Sequence, residues 1–562
     1  QHRDTDNQFP DLPNGSFYLK INGRDFLIRG ADYTPDFLFK YDEAREEAIL
    51  RYVKDMGLNL LRWESKISSE HVVEVADREG IPVMMGWMCC NQWERWPQWD
   101  AEDHRVARES LRSQIRMLRS HASAVIWANG SDGRPPKEVR DDYHSILKDL
   151  HWQNASVDTV SDFYKNAEGK LEWDGIRMDG PYSWRPPAYW FSGKYKGVTG
   201  SCAEQGDNEN IPTYESLKKF IPADKLWPIN DFWFYHGGSA QGNSTLANTT
   251  ASVDKRYGPS KSAQEFAEKA QLAHYENTRA QFENYAASGW ATHKMTLYWM
   301  LNSQWPSFFG HIIDYYLKPG GAYYGAKQGL KPVNVVFDYY ATGDKSVAKI
   351  HVTNQTLAAL SNVSALVSII NLDGTVKFSG KKDHLDVPPN GSVDALDLPR
   401  VKDVSPTFFV RCQLKNTDGK LLADNLYWQS TKDDELGPVT NDNAFKLVQE
   451  SWADFTALNQ MPQAHVDTQK FSRQADGWVT TVVTLTNRSK VPAFFMRAEV
   501  VKGAEGDEIL PITWDDNYVT LFAGESKTLT ARYKISDAPG VTPFLRLQGH
   551  NFPAKVDAVN AN

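Results

Sequence analysis

From Phe17 to about Leu330, short apolar runs alternate with amphipathic helical stretches, and this alternation constrains the fold more than any other feature of the chain. The runs include Phe26–Gly30, Leu58–Trp63, Pro82–Trp87, Ala124–Ala128, Val198–Ala203 and Met295–Leu301. Helical stretches fall between them at Glu43–Met56, Ser69–Glu79 and Ala101–Leu118, with a long one near Ser262–Ala287. A strand buried on both faces reads as a continuous apolar run, and parallel strands need a crossover helix between them. The fold class expected is therefore α/β, with a (β/α)8 TIM barrel over residues 17–331 as its leading form, since such barrels take about 250 residues or more. An open doubly wound sheet is the second form, and the absence of a Gly-rich phosphate loop after any run argues against it. Gly237–Lys255, rich in Ser, Thr, Asn and Gly, is expected as an inserted loop.

After Pro332 the period changes to two. Val333–Tyr340, Ser346–Val352, Val363–Ile370, Phe408–Leu414 and Leu421–Tyr427 alternate as half-buried strands, with turn signals such as Pro389-Asn-Gly391 between them. A second set follows at Trp478–Leu485, Ala493–Val501, Tyr518–Phe522, Ser526–Ile535 and Thr542–Leu547. Two immunoglobulin-like β-sandwich domains are expected, at 332–436 and 437–562, with residues 1–16 as a linker. Several domains suit 562 residues, because single cores stop growing near about 250–300 residues.

Composition narrows the function. With 41% hydrophobic and 24% charged residues the chain is not disordered. A net charge of −9 with no basic block argues against nucleic acid as partner, and no run of 18 apolar residues offers a membrane span. Trp is the outlier: fifteen of 19 precede residue 310. Aromatic faces stack on sugar rings, although most of these rings are expected as core.

In a barrel of this kind chemistry sits where strands end. Two acids follow apolar runs closely, Asp132 in Ala124-Val-Ile-Trp-Ala-Asn-Gly-Ser-Asp132 and Glu204 in Gly197-Val-Thr-Gly-Ser-Cys-Ala-Glu204. A carboxyl pair across a glycosidic bond is the minimal kit for its hydrolysis: one donates a proton to the leaving oxygen while the other attacks or activates water. Asp32 and Asp36 follow the first run, Glu64 the second, and Trp87 closes the third. The last run leads into Tyr298-Trp-Met-Leu-Asn-Ser-Gln-Trp305. Hydroxyl acceptors and stacking faces thus recur at strand ends, as a sugar pocket requires.

These residues carry a resemblance. The blocks Phe17–Gly30, Thr34-Pro-Asp36, Gly86-Trp-Met-Cys-Cys90, Gly130-Ser-Asp132, Gly180-Pro-Tyr-Ser-Trp-Arg-Pro-Pro-Ala-Tyr-Trp190, Ala203-Glu204, Ile211-Pro-Thr213 and Tyr298–Ser303 resemble, in order, the exo-β-D-glucosaminidase branch of glycoside hydrolase family 2. Ser131-Asp132 stands where most of that family carries Asn-Glu, and Ser-Asp marks the branch. The resemblance implies a retaining exo-β-D-glucosaminidase that releases D-glucosamine from the non-reducing end of chitosan and chitooligosaccharides. It makes Asp132 the general acid/base and Glu204 the nucleophile, with carboxyl groups about 5–5.5 Å apart. Asp36 and Glu64 would face the sugar's 2-ammonium group, to which two carboxylates offer charge-assisted hydrogen bonds. Trp87, Trp184, Trp190 and Trp305 are expected as sugar platforms, and Tyr298 and Asn302 as partners of a hydroxyl or of the nucleophile. Neither a metal nor another cofactor is expected, there being no metal-type ligand spacing.

Two other readings compete. One is a β-mannosidase or endo-β-mannosidase of the same family, against which Ser131-Asp132 argues. The other is an inactive chitosan-binding protein, against which both carboxylates argue. Secretion is expected: Asn14, Asn154, Asn243, Asn248, Asn354, Asn362, Asn390 and Asn487 open Asn-x-Ser/Thr triplets and are expected to be glycosylated. Asn129 also opens one, but it ends a barrel strand beside Asp132 and is expected to stay bare. Three of the four cysteines (Cys89, Cys90, Cys202, Cys412) are expected as small buried residues. Cys202 lies two residues before Glu204, which would place it on the same strand face, with packing the preferred role. The family's jelly-roll and first sandwich would precede Gln1, so a cleaved N-terminal chain of the same precursor is an expected partner.

Overall fold

The structure is a computed structural model that describes residues 2–3, 15–64, 69–161, 164–165, 169, 171–193, 199–207, 209–237, 246–438 and 448–561. Asn14, Asn243, most of the expected linker and part of the expected 237–255 loop lie outside these residues. The rest of that loop is helical, at Ala247–Tyr257.

Eight parallel strands follow the sequence: β1 (Ile28–Tyr33), β2 (Leu61–Glu64), β3 (Val83–Gly86), β4 (Ala124–Ala128), β5 (Ala155–Val157), β6 (Arg177–Pro181), β7 (Gly200–Gly206) and β8 (His293–Tyr298). From β6 through β8 and on to β5 each strand pairs with the next, β8 pairing back onto β1 with Met295 opposite Ile28, so the sheet wraps into the (β/α)8 barrel. Among the described residues no ladder joins β5 to β6. Asp174 bridges there instead, its Oδ2 accepting the N–H groups of Asp158 and Thr159 at 3.1 Å each.

The crossover helices begin and end where the sequence supplies caps. Asp42 accepts the Arg45 N–H to start α1 (Glu43–Met56), and Gly57 ends it at φ 89°. Ser69 and Gly80 frame α2 (Glu70–Glu79), and Asp100 with Asp103 forms a capping box for α3 (Ala101–Leu118). α4 (Lys137–Asp149) completes the first half of the barrel.

α5 (Ala263–Thr292) is buried along most of its length, because barrel strands cover one side and both sandwiches the other. Its polar residues are paired both within the barrel and across to the first sandwich. Arg279 donates to the Leu426 carbonyl at 2.6 Å and lies 4.0 Å over the Tyr427 ring, and Glu276 pairs with Arg256. α6 (Gly321–Gly329) lies against α5 at a separation only glycine permits: a Cβ at Gly325 would sit 2.2 Å from the Tyr275 carbonyl oxygen.

The first sandwich packs a three-stranded sheet (Val333–Phe337, Val347–Asn354, Gly391–Pro399) on a four-stranded one (Val376–Val387, Leu360–Asn371, Thr407–Lys415, Leu421–Ser430). The second pairs a five-stranded with a four-stranded sheet over Val466–Ala561. Lys318, in the loop before α6, reaches into this domain, to Glu499 at 2.5 Å and Glu508 at 2.6 Å. Burying one cation between two carboxylates holds the barrel and the sandwich in register, since losing either partner would leave an uncompensated buried charge.

Candidate active site

Strand parity selects the residues that face into the barrel. Leu60, Met84, Ile126 and Leu297 fill its interior floor, whereas Leu61, Trp63, Val83, Met85 and Trp127 face the helices. Counting by two from the floor brings Arg62 and Glu64 inward at the end of β2, and the same count on β1 (Ile28, Gly30, Asp32) brings in Asp32. β7 would turn Glu204 away, because Ala203 belongs to the floor. A bulge prevents this. Cys202 pairs with Thr296 and Gln205 with Tyr298, so three steps on β7 match two on β8, and both Ala203 and Glu204 face inward. The same bulge breaks the expected shared face of Cys202 and Glu204: Cys202 packs outward, fully buried.

Arg62 is the hub. Its Nη1 contacts Glu204 Oε1 at 2.8 Å and Asp32 Oδ1 at 3.1 Å. Its Nη2 donates to Ser131 Oγ at 2.9 Å and stands 3.7 Å from Glu64 Oε1. The Ser131 hydroxyl in turn donates to Glu64 Oε1 at 2.6 Å, and the Cys89 N–H reaches the same oxygen at 3.3 Å. Glu64 Oε2 takes no hydrogen bond from any described residue. Tyr182, just after β6, donates its hydroxyl to Glu204 Oε2 at 2.7 Å, so both oxygens of Glu204 are held. Carboxyl oxygens of Glu64, Asp132 and Glu204 lie within 4.8 Å of one another. Asp132 is the exposed member of this set and Glu204 a buried one.

Four carboxyl groups thus crowd one guanidinium. Burial first, and then the Glu64 charge, push the Glu204 carboxyl up to about 8 against the opposing pull of Arg62 and Tyr182. Burial also pushes Asp32 well above the ordinary carboxyl range. Asp132 is raised for the same reasons as Glu204, shielding from water first and Glu64 second. The carboxyl groups outnumber the single guanidinium, and a cationic ligand would redress the balance. Glu64, Asp132 and Glu204 present oxygens close enough to bridge a metal ion, but Arg62 already places its charge beside two of them. Cys89 and Cys90 also approach Asp132, yet they are bonded to each other as a vicinal disulfide, whose sulfurs are poor metal ligands. The expectation of three small buried cysteines is corrected accordingly: Cys202 and Cys412 are buried thiols, and the other two form this disulfide at the pocket mouth.

Several expected sugar contacts are core instead. Trp87 follows the inward Gly86 and so faces outward. It stacks on Trp93 at 4.4 Å and meets Trp127 edge-on at 5.2 Å. Trp184 is buried under Arg256 and donates its indole N–H to the Ala273 carbonyl at 3.0 Å. Trp190 is buried and donates to Asn277 Oδ1 at 2.8 Å. Tyr298 points out between β8 and α5, where its hydroxyl donates to Asp207 and accepts from Asn210 Nδ2 at 2.9 Å. Asn302 ties loop to loop, its amide bonding the Thr34 carbonyl at 2.7 Å and the Thr34 N–H at 3.2 Å. Among the described residues Asp36 makes no hydrogen bond to the Arg62 cluster. Its carboxylate accepts the Leu38 N–H at 2.9 Å and the Tyr315 hydroxyl at 3.0 Å, closing its own loop. Trp305 alone of the expected platforms is half-exposed, stacked on His236 at 5.3 Å beside the exposed Tyr235.

Two expected glycosylation sites are also corrected. Asn354 and Asn487 are fully buried with their amide nitrogens bonded to backbone carbonyls, among them Ala358 at 2.7 Å and Val491 at 2.8 Å. Asn129 is buried likewise, its Nδ2 on Asp158 at 3.0 Å. Asn154, Asn248 and Asn362 are exposed and Asn390 half-exposed. Peptide mapping after enzymatic glycan release is expected to show no conversion of Asn to Asp at 129, 354 or 487; a glycan at any of them would contradict the fold around it.

A parallel barrel with facing carboxyl groups at its C-terminal mouth, followed by two sandwiches, defines a glycoside hydrolase architecture. Residues 444–552 match the exo-β-D-glucosaminidase Ig-fold domain, and residues 346–432 the mannosidase Ig/CBM-like domain. The exo-β-D-glucosaminidase of Streptomyces avermitilis is 35% identical over 96% of this chain, and that of Amycolatopsis orientalis 34% over 96%. The chain spans 60% and 53% of the length of these curated relatives. The crystal structure of A. orientalis exo-chitosanase CsxA superposes with a TM-score of 0.91 at 32% identity, covering 97% of this chain and 65% of that one. Two complexes of that enzyme with PNP-β-D-glucosamine carry, respectively, an aspartate and a glutamate replaced by alanine, at the same sequence separation as Asp132 and Glu204 here. Over nearly its whole length the chain is thus similar to exo-β-D-glucosaminidases.

Proposed function

We propose that this chain carries the catalytic centre of a retaining exo-β-D-glucosaminidase acting on chitosan and chitooligosaccharides. The observation that carries the reading is the close set of Glu64, Asp132 and Glu204 oxygens, within 4.8 Å, served by one guanidinium. That spacing suits a retaining enzyme, whose carboxyl groups lie about 5–5.5 Å apart, better than an inverting one, which leaves room for water. Glu204, held by Arg62 and Tyr182, attacks the anomeric carbon. Asp132, the exposed acid, protonates the leaving oxygen and then activates water to release the sugar. Glu64 is the ligand for the 2-ammonium group through its open Oε2. Ser131 serves this by fixing Glu64 Oε1 against Arg62, a link that Asn at this position would make with a longer, differently shaped side chain.

The test compares chitobiose with its N-acetylated form. The amine sugar should be cleaved on the order of 10²-fold or more faster, because acetylation removes a charge-assisted hydrogen bond and adds bulk. Equal cleavage of both sugars would refute the reading, and hydrolysis of a nitrophenyl mannoside but not a glucosaminide would favour the β-mannosidase. Binding of chitosan oligomers without turnover would favour the inactive binder.

Secretion and glycosylation belong to the same proposal. The Cys89–Cys90 disulfide suits an oxidising compartment, and Asn248 and Asn362 are exposed acceptors for glycans there, whereas Asn154, also exposed, donates its amide to the Ala124 carbonyl at 2.6 Å.

A further inference from the structure

We propose that Glu94 is a positioning residue, whose carboxylate grips the backbone on both sides of Asp132 and sets how far that short side chain reaches. The assignment rests on the reading of Asp132 as the general acid/base. Glu94 closes a single turn of 3-10 helix at Gln92–Glu94, just beyond the disulfide. Its Oε1 accepts the Ser131 N–H at 2.9 Å and the Gly133 N–H at 3.0 Å. One oxygen therefore holds the residue before and the residue after Asp132.

The turn is tight on its own account. A Cβ at Gly130 would lie 2.3 Å from the Gly133 carbonyl oxygen, and one at Gly133 would lie 2.9 Å from the Trp96 ring. From the opposite side the Ser131 carbonyl accepts the Thr159 hydroxyl at 2.8 Å and the Val160 N–H at 3.2 Å. Cys90 Sγ packs 3.8 Å from Asp132 Oδ2. The segment Cys89–Trp96 is thus a buttress under the acid-bearing turn, with Glu94 as its only charged contact to that backbone among the described residues.

The geometry answers a question the sequence raises. Aspartate is one methylene shorter than the glutamate most of the family carries at this place, so backbone placement must supply the reach. Displacing a catalytic group by about 1 Å costs about 10²-fold in rate. A glutamine at 94 would accept the same two N–H groups without repelling Asp132. Glu94 and Asp132 also face each other as like charges: after burial, the Asp132 and Glu64 charges push the Glu94 carboxyl up, and the same repulsion opposes ionisation of both members of the pair.

The test uses Glu94→Ala and Glu94→Gln in the full chain, with thermal melts to confirm folding. E94A should lose about 10- to 100-fold in kcat on chitobiose, with KM changed less than about threefold. The loss in kcat/KM should shrink to within about threefold on a dinitrophenyl glucosaminide, whose leaving group needs no proton. E94Q should recover most of the loss, but with the basic limb of its kcat/KM profile moved to lower pH, since Asp132 sheds its proton more easily once a neighbouring negative charge is gone. An E94A enzyme as fast as wild type on chitobiose would overturn the proposal. So would equal losses on both substrates, or an E94Q enzyme as slow as E94A with an unmoved basic limb. If wild type itself fails to cleave either substrate, the glucosaminidase reading fails and this inference with it; an active wild type and an unimpaired E94A refute the clamp alone.

Discussion

Glu204→Gln is expected to lower kcat/KM for chitobiose on the order of 10⁴-fold or more, with the fold and melting temperature close to wild type. The substitution is nearly isosteric: the amide oxygen can still accept from Arg62 Nη1, now at 2.8 Å, and the amide nitrogen can donate to the Tyr182 hydroxyl, reversing the bond now at 2.7 Å. What disappears is the attacking charge. Chemistry rather than assembly should therefore suffer, which single-turnover kinetics and a circular dichroism spectrum would separate. A Glu204→Gln enzyme of unaffected activity would refute the assignment of the nucleophile.

The same residue sets a pH dependence. The nucleophile works ionised, so activity rises as pH climbs through its pKa, which burial and the Glu64 charge push up to about 8. A bound 2-ammonium group adds the missing cation and draws that pKa down. The acid limb of kcat, which reports the complex, should accordingly lie at lower pH than the acid limb of kcat/KM, which reports the free enzyme. For a neutral glycoside the two limbs should coincide. Coincident limbs for the amine substrate would show that the carboxyl cluster does not meet the ammonium group.

Asp132→Ala is expected to be the second large loss, about 10²- to 10⁴-fold on chitobiose, because both protonation of the leaving oxygen and activation of water depend on this side chain. Its signature differs from that of Glu204→Gln. With a dinitrophenyl glucosaminide the first step should run almost normally and the glycosyl-enzyme should accumulate, giving a burst followed by slow turnover. Azide, a small nucleophile that needs no base, should then restore turnover and yield the β-configured glycosyl azide, as double displacement on Glu204 requires. An α-configured azide, or no burst and no rescue, would exchange or dismiss the assigned roles.

Much of this site is legible in the sequence. Asp132 and Glu204 each follow an apolar run, and the blocks around them carry the resemblance to one enzyme branch. The helix ends are equally plain, because Asp42, Ser69 and Asp100 cap them locally and Gly57 and Gly80 stop them. The aromatic residues depart from expectation for a definite reason. Trp87 and Tyr298 do stand at strand ends, but a strand turns alternate residues to opposite faces, and both fall on the face that meets helices. Asp32, two steps beyond Gly30 on β1, inherits its direction from the barrel floor, whereas the loop position of Asp36 says nothing of direction. Parity can be counted from the sequence once the strand bounds are known.

The bulge in β7 cannot. One extra residue between Cys202 and Gln205 reverses the count for Glu204, and it shows only in the pairings with β6 and with β8, the latter some ninety residues away. Tyr182, Ser131 and Glu94 also come from separate strand ends, so their convergence on Glu204, on Glu64 and on the Asp132 turn exists only in the closed barrel. The sequence by itself determined what is local, namely the period of each element, its caps, and the acids that follow the strands. Only the tertiary structure decided which of those acids share one guanidinium, because a side chain's neighbours across a barrel are set by register and closure, which no single segment encodes.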